Sequence, residues 1–335
     1  MIQLLNFDQM NDSERALTLS AQGILNRMGG KVYVEADSYL ELLSACEERT
    51  KTDIWELLEK NATSFLGFVS YDLNCDDVGI NMAATISAAF DVLGVPTQVE
   101  DRVAALGIKK LFDLSEIMGS KIERQKIVFD YCKPYLNKNG LIHQVVKSGN
   151  FHIRLRDFSI AKRWACIYTG EDEEDRAFLK YILQWCEKNI PVYGWNDNEI
   201  AFIKDISQYG DYAVPTDWSL NHSYLKGTKE DLRQTCERVP VAPNKHYVAI
   251  IVSDGDNVQW LERNFFTEHL FGQRIRGEMQ YKMSWTFAPS LKELNGAAAK
   301  RIYESANKDY FICGVSGIGY ANIMSCPDEY LGDFC

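Results

Sequence analysis

Tyr247-Val248-Ala249-Ile250-Ile251-Val252-Ser253-Asp254-Gly255-Asp256-Asn257 joins an apolar, β-branched run to two acids, a glycine and an amide. Such a run predicts a strand buried on both faces, as in parallel sheets. Carboxylates just beyond the C-terminal end of that strand fall where α/β proteins build their sites. Asp254 and Asp256 are two positions apart, so in an extended chain they point to one side. Paired acids also push their pKa values apart, which yields an acid and a base, the chemistry of glycosidases. Two other readings stay open. The pair supplies oxygen ligands for a divalent cation, or Asp254 or Asn257 merely caps the following helix.

Working outward, Lys282–Phe287 and Asp309–Gly314 read as two further strands, with a helix over Leu291–Ser305 between them. Spacings of about 30 residues per strand suit a (β/α) barrel or a doubly wound sheet. Only three such units fit before residue 335, too few to close a barrel. Upstream, Asp12 or Ser13 is the expected cap of a helix ending near Gly29-Gly30. Strands are expected over Lys31–Glu35 and Phe65–Tyr71, with helices over Ser38–Lys60 and Val78–Leu93, and a further strand at Pro96–Val99. Lys126–Leu136 reads as helix and Leu141–Asn150 as a connection. Trp164–Tyr168 and Pro191–Trp195 read as strands, each followed by a helix; the acids Glu171–Asp175 open the first of these, as the helix dipole favours. The alternation implies βαβ units. The expected architecture is α/β: an N-terminal region over 1–150 with two small subdomains, a second α/β domain over 151–240, and the start of a TIM-barrel-like domain over 241–335.

Composition removes several functions. The 335 residues carry a net charge of −11, and no Lys/Arg cluster offsets it, so nucleic acid is not an expected partner. No apolar run is long enough to span a membrane, and Met1–Asp8 lacks the basic and apolar parts of a leader. The chain as it stands is expected in the cytoplasm, or outside it if a leader has been removed. Nine cysteines without a CxxC pair argue for free thiols. Five histidines form no HxxH, HxxxH or HExxH pair, which disfavours zinc chemistry, and GxSxG is absent. No cofactor is expected, apart from the cation reading at Asp254 and Asp256. Trp218 with Asn221, Trp195 with Asn196, and Trp285 supply the flat rings and amides that sugar sites combine, although each ring equally suits a core. The glycine-rich stretch Gly314-Val315-Ser316-Gly317-Ile318-Gly319-Tyr320 admits close approach by a ligand or by another backbone.

Two of these segments, Ser253–Trp260 (SDGDNVQW) and Ser316–Tyr320 (SGIGY), together resemble the GxGYxYP family of glycoside hydrolases. Leu19–Arg27 is similar to that family's N-terminal LQGLVNR region. In the motif itself, Asn322 and Ile323 stand where the family has its second Tyr and its Pro. The resemblance implies small α/β domains ahead of a TIM-like barrel that continues beyond residue 335, and hydrolysis of an oligo- or polysaccharide. On that reading Asp254 and Asp256 are catalytic. Asn257, Trp218, Asn221, Trp285, Ser316, Gly317, Gly319 and Tyr320 hold the sugar. A carbohydrate-binding protein without turnover and a metal-dependent hydrolase are the alternatives.

Overall fold

The computed structural model describes the chain apart from residues 37–47, 75–77, 147–152, 235–239, 264, 266–269, 274, 279–281, 307–308 and 335. Its described strands form four sheets, and every pairing between named strands is parallel. The first sheet orders β2 (Val32–Glu35), β1 (Ile2–Asn6) and β3 (Arg49–Lys51). The second orders β5 (Val92–Pro96), β4 (Gly67–Tyr71) and β6 (Lys110–Asp113). In the third, β10 (Tyr212–Pro215) and β8 (Cys166–Ile167) flank the inner strands β9 (Pro191–Gly194) and β7 (Leu141–His143). The fourth is an open sheet of β11 (Ile251–Val252), β12 (Ser284–Phe287) and β13 (Tyr310–Cys313). One continuous apolar core runs through the four units.

Several sequence expectations change. The helix cap is Asn11, in a reciprocal capping box with Glu14, and the helix it opens runs Asp12–Arg27. The helix expected to reach Leu93 covers Gly79–Ala89, because Val92–Pro96 is the strand and Thr97–Val99 a single 3-10 turn. Part of the helix expected over Ser38–Lys60 falls outside the described residues; within the rest, Arg49–Lys51 is strand and Ile54–Asn61 helix. Leu141–His143, read as connection, is an inner strand buried at all three positions and too short to show a period. The helix expected over Leu291–Ser305 is interrupted by Asn295, whose side chain caps the second piece.

The largest departure is at the opening segment. Only Ile251 and Val252 pair as strand, and Val248 is 86% exposed. β11 is the edge of its sheet, and of the apolar run that the sequence placed in a core only Val252 packs against that core, while residues 247–251 are exposed. Among the described residues no helix is long and apolar enough to cross a membrane. Cys132, Cys166 and Cys186 are buried free thiols, and Cys313 and Cys326 are free and more accessible; Cys46, Cys75, Cys236 and Cys335 lie outside the described residues.

Two polar devices lock the units together. The Asn221 amide reads the edge of β2: its Oδ1 accepts from Val34 N (2.8 Å) and its Nδ2 donates to Val34 O (2.9 Å). Between the third and fourth sheets, the fully buried Glu262 accepts from Ser219 Oγ (3.0 Å) and Asn295 Nδ2 (2.8 Å). His222 Nε2 lies 3.3 Å from it. A buried carboxylate is tolerated only with such partners.

Candidate active site

The C-terminal ends of β9, β10, β11 and β13 meet in one region, which is where parallel sheets expose backbone and polar loops. His143, at the end of β7, organises the β9 side. Thr169 N–H donates to its Nε2 (3.0 Å), so Nδ1 carries the proton and donates to Trp195 O (3.0 Å). Burial pushes this imidazole down to about 4, so it is neutral and acts as a clamp on Trp195. Asn196 donates to Thr169 O (2.9 Å) and accepts from Asn198 N (2.9 Å), and Asn198 caps the helix Glu199–Ser207. Glu199 thereby becomes the first residue of that helix, where a negative charge is favoured.

Tyr320 arrives from the fourth unit. Its backbone pairs antiparallel with Ala213 of β10 through two 2.8 Å hydrogen bonds. Gly319 makes this approach possible, since a Cβ there would overlap the Tyr212 ring. The Tyr320 ring stacks on Trp195 (6.1 Å between centroids, 27° between planes), and its hydroxyl donates to Glu199 Oε1 at 2.6 Å. That bond to Glu199, with burial and the charges of Glu199 and Asp256, pushes the phenol up to about 12. Ser316 Oγ donates to Ala321 O (2.8 Å), so this hydroxyl closes the loop.

Asp254 is exposed and adopts φ +70°, a left-handed conformation unusual for a residue with a side chain. The chain has left the strand by then, and Gly255–Asp256 form a turn, so strand alternation does not set the direction of the two acids. Gly255 presses on β12: its N–H donates to Thr286 Oγ1 (2.8 Å), and any Cβ would collide with the Thr286 carbonyl. Asp256 is half-buried. Burial raises its pKa, and the charges of Asp254 and Glu199 add to the rise. The paired acids of the sequence thus gain a third carboxylate from another sheet.

Next to this turn is a hollow of about 260 Å³ lined by Trp218, Asn257, Gln259, Trp260 and Arg263. Gln259 spans the two units, accepting from Trp218 N (2.6 Å) and donating to Asp217 Oδ1 (2.8 Å). Burial, and to a lesser degree Asp197, raises the Asp217 pKa.

Of the residues expected at the site, Asp254, Asp256, Asn257, Trp218, Ser316, Gly317, Gly319 and Tyr320 lie in or beside this region. Two do not. Trp285 is 1% exposed and packed edge-on against Phe265 and Phe271, and Asn221 is buried in the first-sheet lock, so neither presents a surface to a ligand. Glu199, Asp217, Gln259, Trp260 and Arg263 were not singled out from sequence. Glu199 had a readable signal: Pro191–Glu199 repeats the opening pattern of a strand running into amides and acids.

Residues 244–335 match the family model described as "GxGYxYP putative glycoside hydrolase C-terminal domain", and residues 142–227 match the "GxGYxYP third domain". This chain carries two domains of the GxGYxYP family. The two matched segments are the ones that supply the two walls of the site: Trp195, Glu199 and Trp218 from one, Asp254, Asp256 and Tyr320 from the other. A crystal structure described as a "putative hydrolase" from Bacteroides thetaiotaomicron is similar over 99% of this chain, with a TM-score of 0.84 and 22% identity. The chain spans 66% of that protein's length. No curated protein matches it.

Proposed function

We propose that this protein is a glycoside hydrolase in which Asp256 is the general acid and Asp254 its partner, as base or nucleophile. The observation that carries this reading is the half-buried Asp256 beside Asp254 and Glu199, its pKa raised by burial and by those two charges. A carboxyl whose pKa is raised by burial, next to an exposed carboxylate, suits the division of labour that glycosidic cleavage requires. Stacked aromatic rings and amides around the acids suit a sugar. The family description and the structural neighbour support hydrolysis in general terms. The open sheet β11-β12-β13, with acids beyond its first strand, fits the start of a TIM-like barrel.

The test is hydrolysis of an oligosaccharide panel by wild type, Asp254→Asn and Asp256→Asn, with the fold checked by circular dichroism. Loss in both variants supports the assignment, and full activity in both removes it. Saturable glycan binding without product release would instead identify a binding protein. Loss of activity with EDTA would favour a metal-dependent hydrolase.

A further inference from the structure

We propose that the hollow beside the Asp254–Asn257 turn is a subsite for one sugar ring of a neutral oligosaccharide, adjoining the bond to be cleaved. The proposal rests on the glycosidase reading and names where that substrate is held. At about 260 Å³ the hollow is smaller than the ~300–1,000 Å³ typical of drug-sized ligand sites, a size suited to a single ring.

Its walls have the two faces a pyranose needs. Trp218 and Trp260 give flat apolar surface for the C–H side of a ring, and Asn257 and Gln259 give amides for its hydroxyls. Those walls are fixed in advance. The Arg263 guanidinium lies 5.0 Å from the centre of the Trp218 ring, and Trp260 is braced edge-on by Phe265 at 4.8 Å. Gln259 is pinned at both ends of its amide. Asn257 differs: among the described residues its Oδ1 is buried with no hydrogen-bond partner, and it makes no side-chain cap to the helix it precedes. A buried acceptor left unpaired is costly, so an acceptor retained at a hollow's edge marks a place for a donor from a ligand. Because Asn257 directly follows Asp256, a ring held there lies next to the proposed acid.

The experiment titrates Asp256→Asn protein, its fold checked by circular dichroism and its lack of turnover by product assay, with cellotetraose, chitotetraose, maltotetraose and mannotetraose, read by tryptophan fluorescence and calorimetry. At least one tetrasaccharide is expected to bind and change the fluorescence. Trp218→Ala and Asn257→Ala, each added to that background, are expected to weaken it by about tenfold or more with unchanged melting temperature. Binding by none of the four, or equal binding in both variants, overturns the subsite. Binding of a tetrasaccharide that wild-type protein does not cleave keeps the subsite and removes the hydrolase reading. Cleavage that Trp218→Ala and Asn257→Ala leave intact does the reverse.

Discussion

Glu199 bears on Asp256 of the candidate site through its charge, and Tyr320 holds that charge in place with a single short hydrogen bond. Replacing Glu199 by Gln removes one of the negative charges that raise Asp256, so Asp256 loses its proton at lower pH. The alkaline limb of the kcat/KM profile is therefore expected to move to lower pH. Glu199→Asp, which keeps the charge, is expected to restore it. An unmoved limb in Glu199→Gln would separate Glu199 from the acid. A second residue-scale expectation concerns stability. Asp211 is buried; its Oδ1 accepts from Ile190 N (3.0 Å), and its Oδ2 has no partner among the described residues. Burial raises it to about 8, so the folded protein holds a proton there that the unfolded chain releases above the ordinary carboxylate range. Its contribution is present in acid and lost as pH rises from about 4 to about 8. Thermal melts across that window are expected to fall in wild type and to flatten in Asp211→Asn.

At the scale of elements, the decisive join is the loop Ser316–Ala321 laid against β10. Gly319→Ala puts a methyl group into the Tyr212 ring and the Ala213 carbonyl, so the loop lifts off and Tyr320 leaves Glu199. Activity is expected to drop by at least about tenfold while far-UV circular dichroism stays unchanged, with quicker proteolytic cleavage near residue 318 as the direct readout. This scale also shows what sequence could disclose. The helix after Pro191–Trp195, Glu199–Ser207, was readable because its apolar spacing is a local signal. The inner strand Leu141–His143 was not, since three buried residues carry no period and only its neighbours in space define it. The opening run misled in the other direction: β-branched composition reports strand preference, whereas burial depends on what covers the strand, and β11 is an edge. Asp254 and Asp256 could be found from their own segment. Glu199 carries a similar local pattern, but that it stands beside these acids depends on the fold, which brings Tyr320 to it across 121 residues.

Over the whole molecule, the third and fourth units are held by the buried Glu262 with His222, Ser219 and Asn295. Glu262→Ala leaves these three groups without this partner in a buried interface and is expected to cost ~3–5 kcal/mol in urea unfolding, the usual penalty for breaking a buried pair. A loss below about 1 kcal/mol would mean that water reaches the site and compensates. The same variant is expected to reduce hydrolysis more than its effect on stability alone implies, because the interface it loosens is also the one that brings Tyr320 to Glu199.

That last contact makes the site an intramolecular assembly. Glu199 and Tyr320 are joined covalently through the chain, so each experiences the other at the millimolar effective concentration that a tether provides, whatever the dilution of the protein. A single 2.6 Å bond, too weak to hold two free proteins together, is then sufficient to complete the candidate site. The rate per molecule should consequently be indifferent to protein concentration.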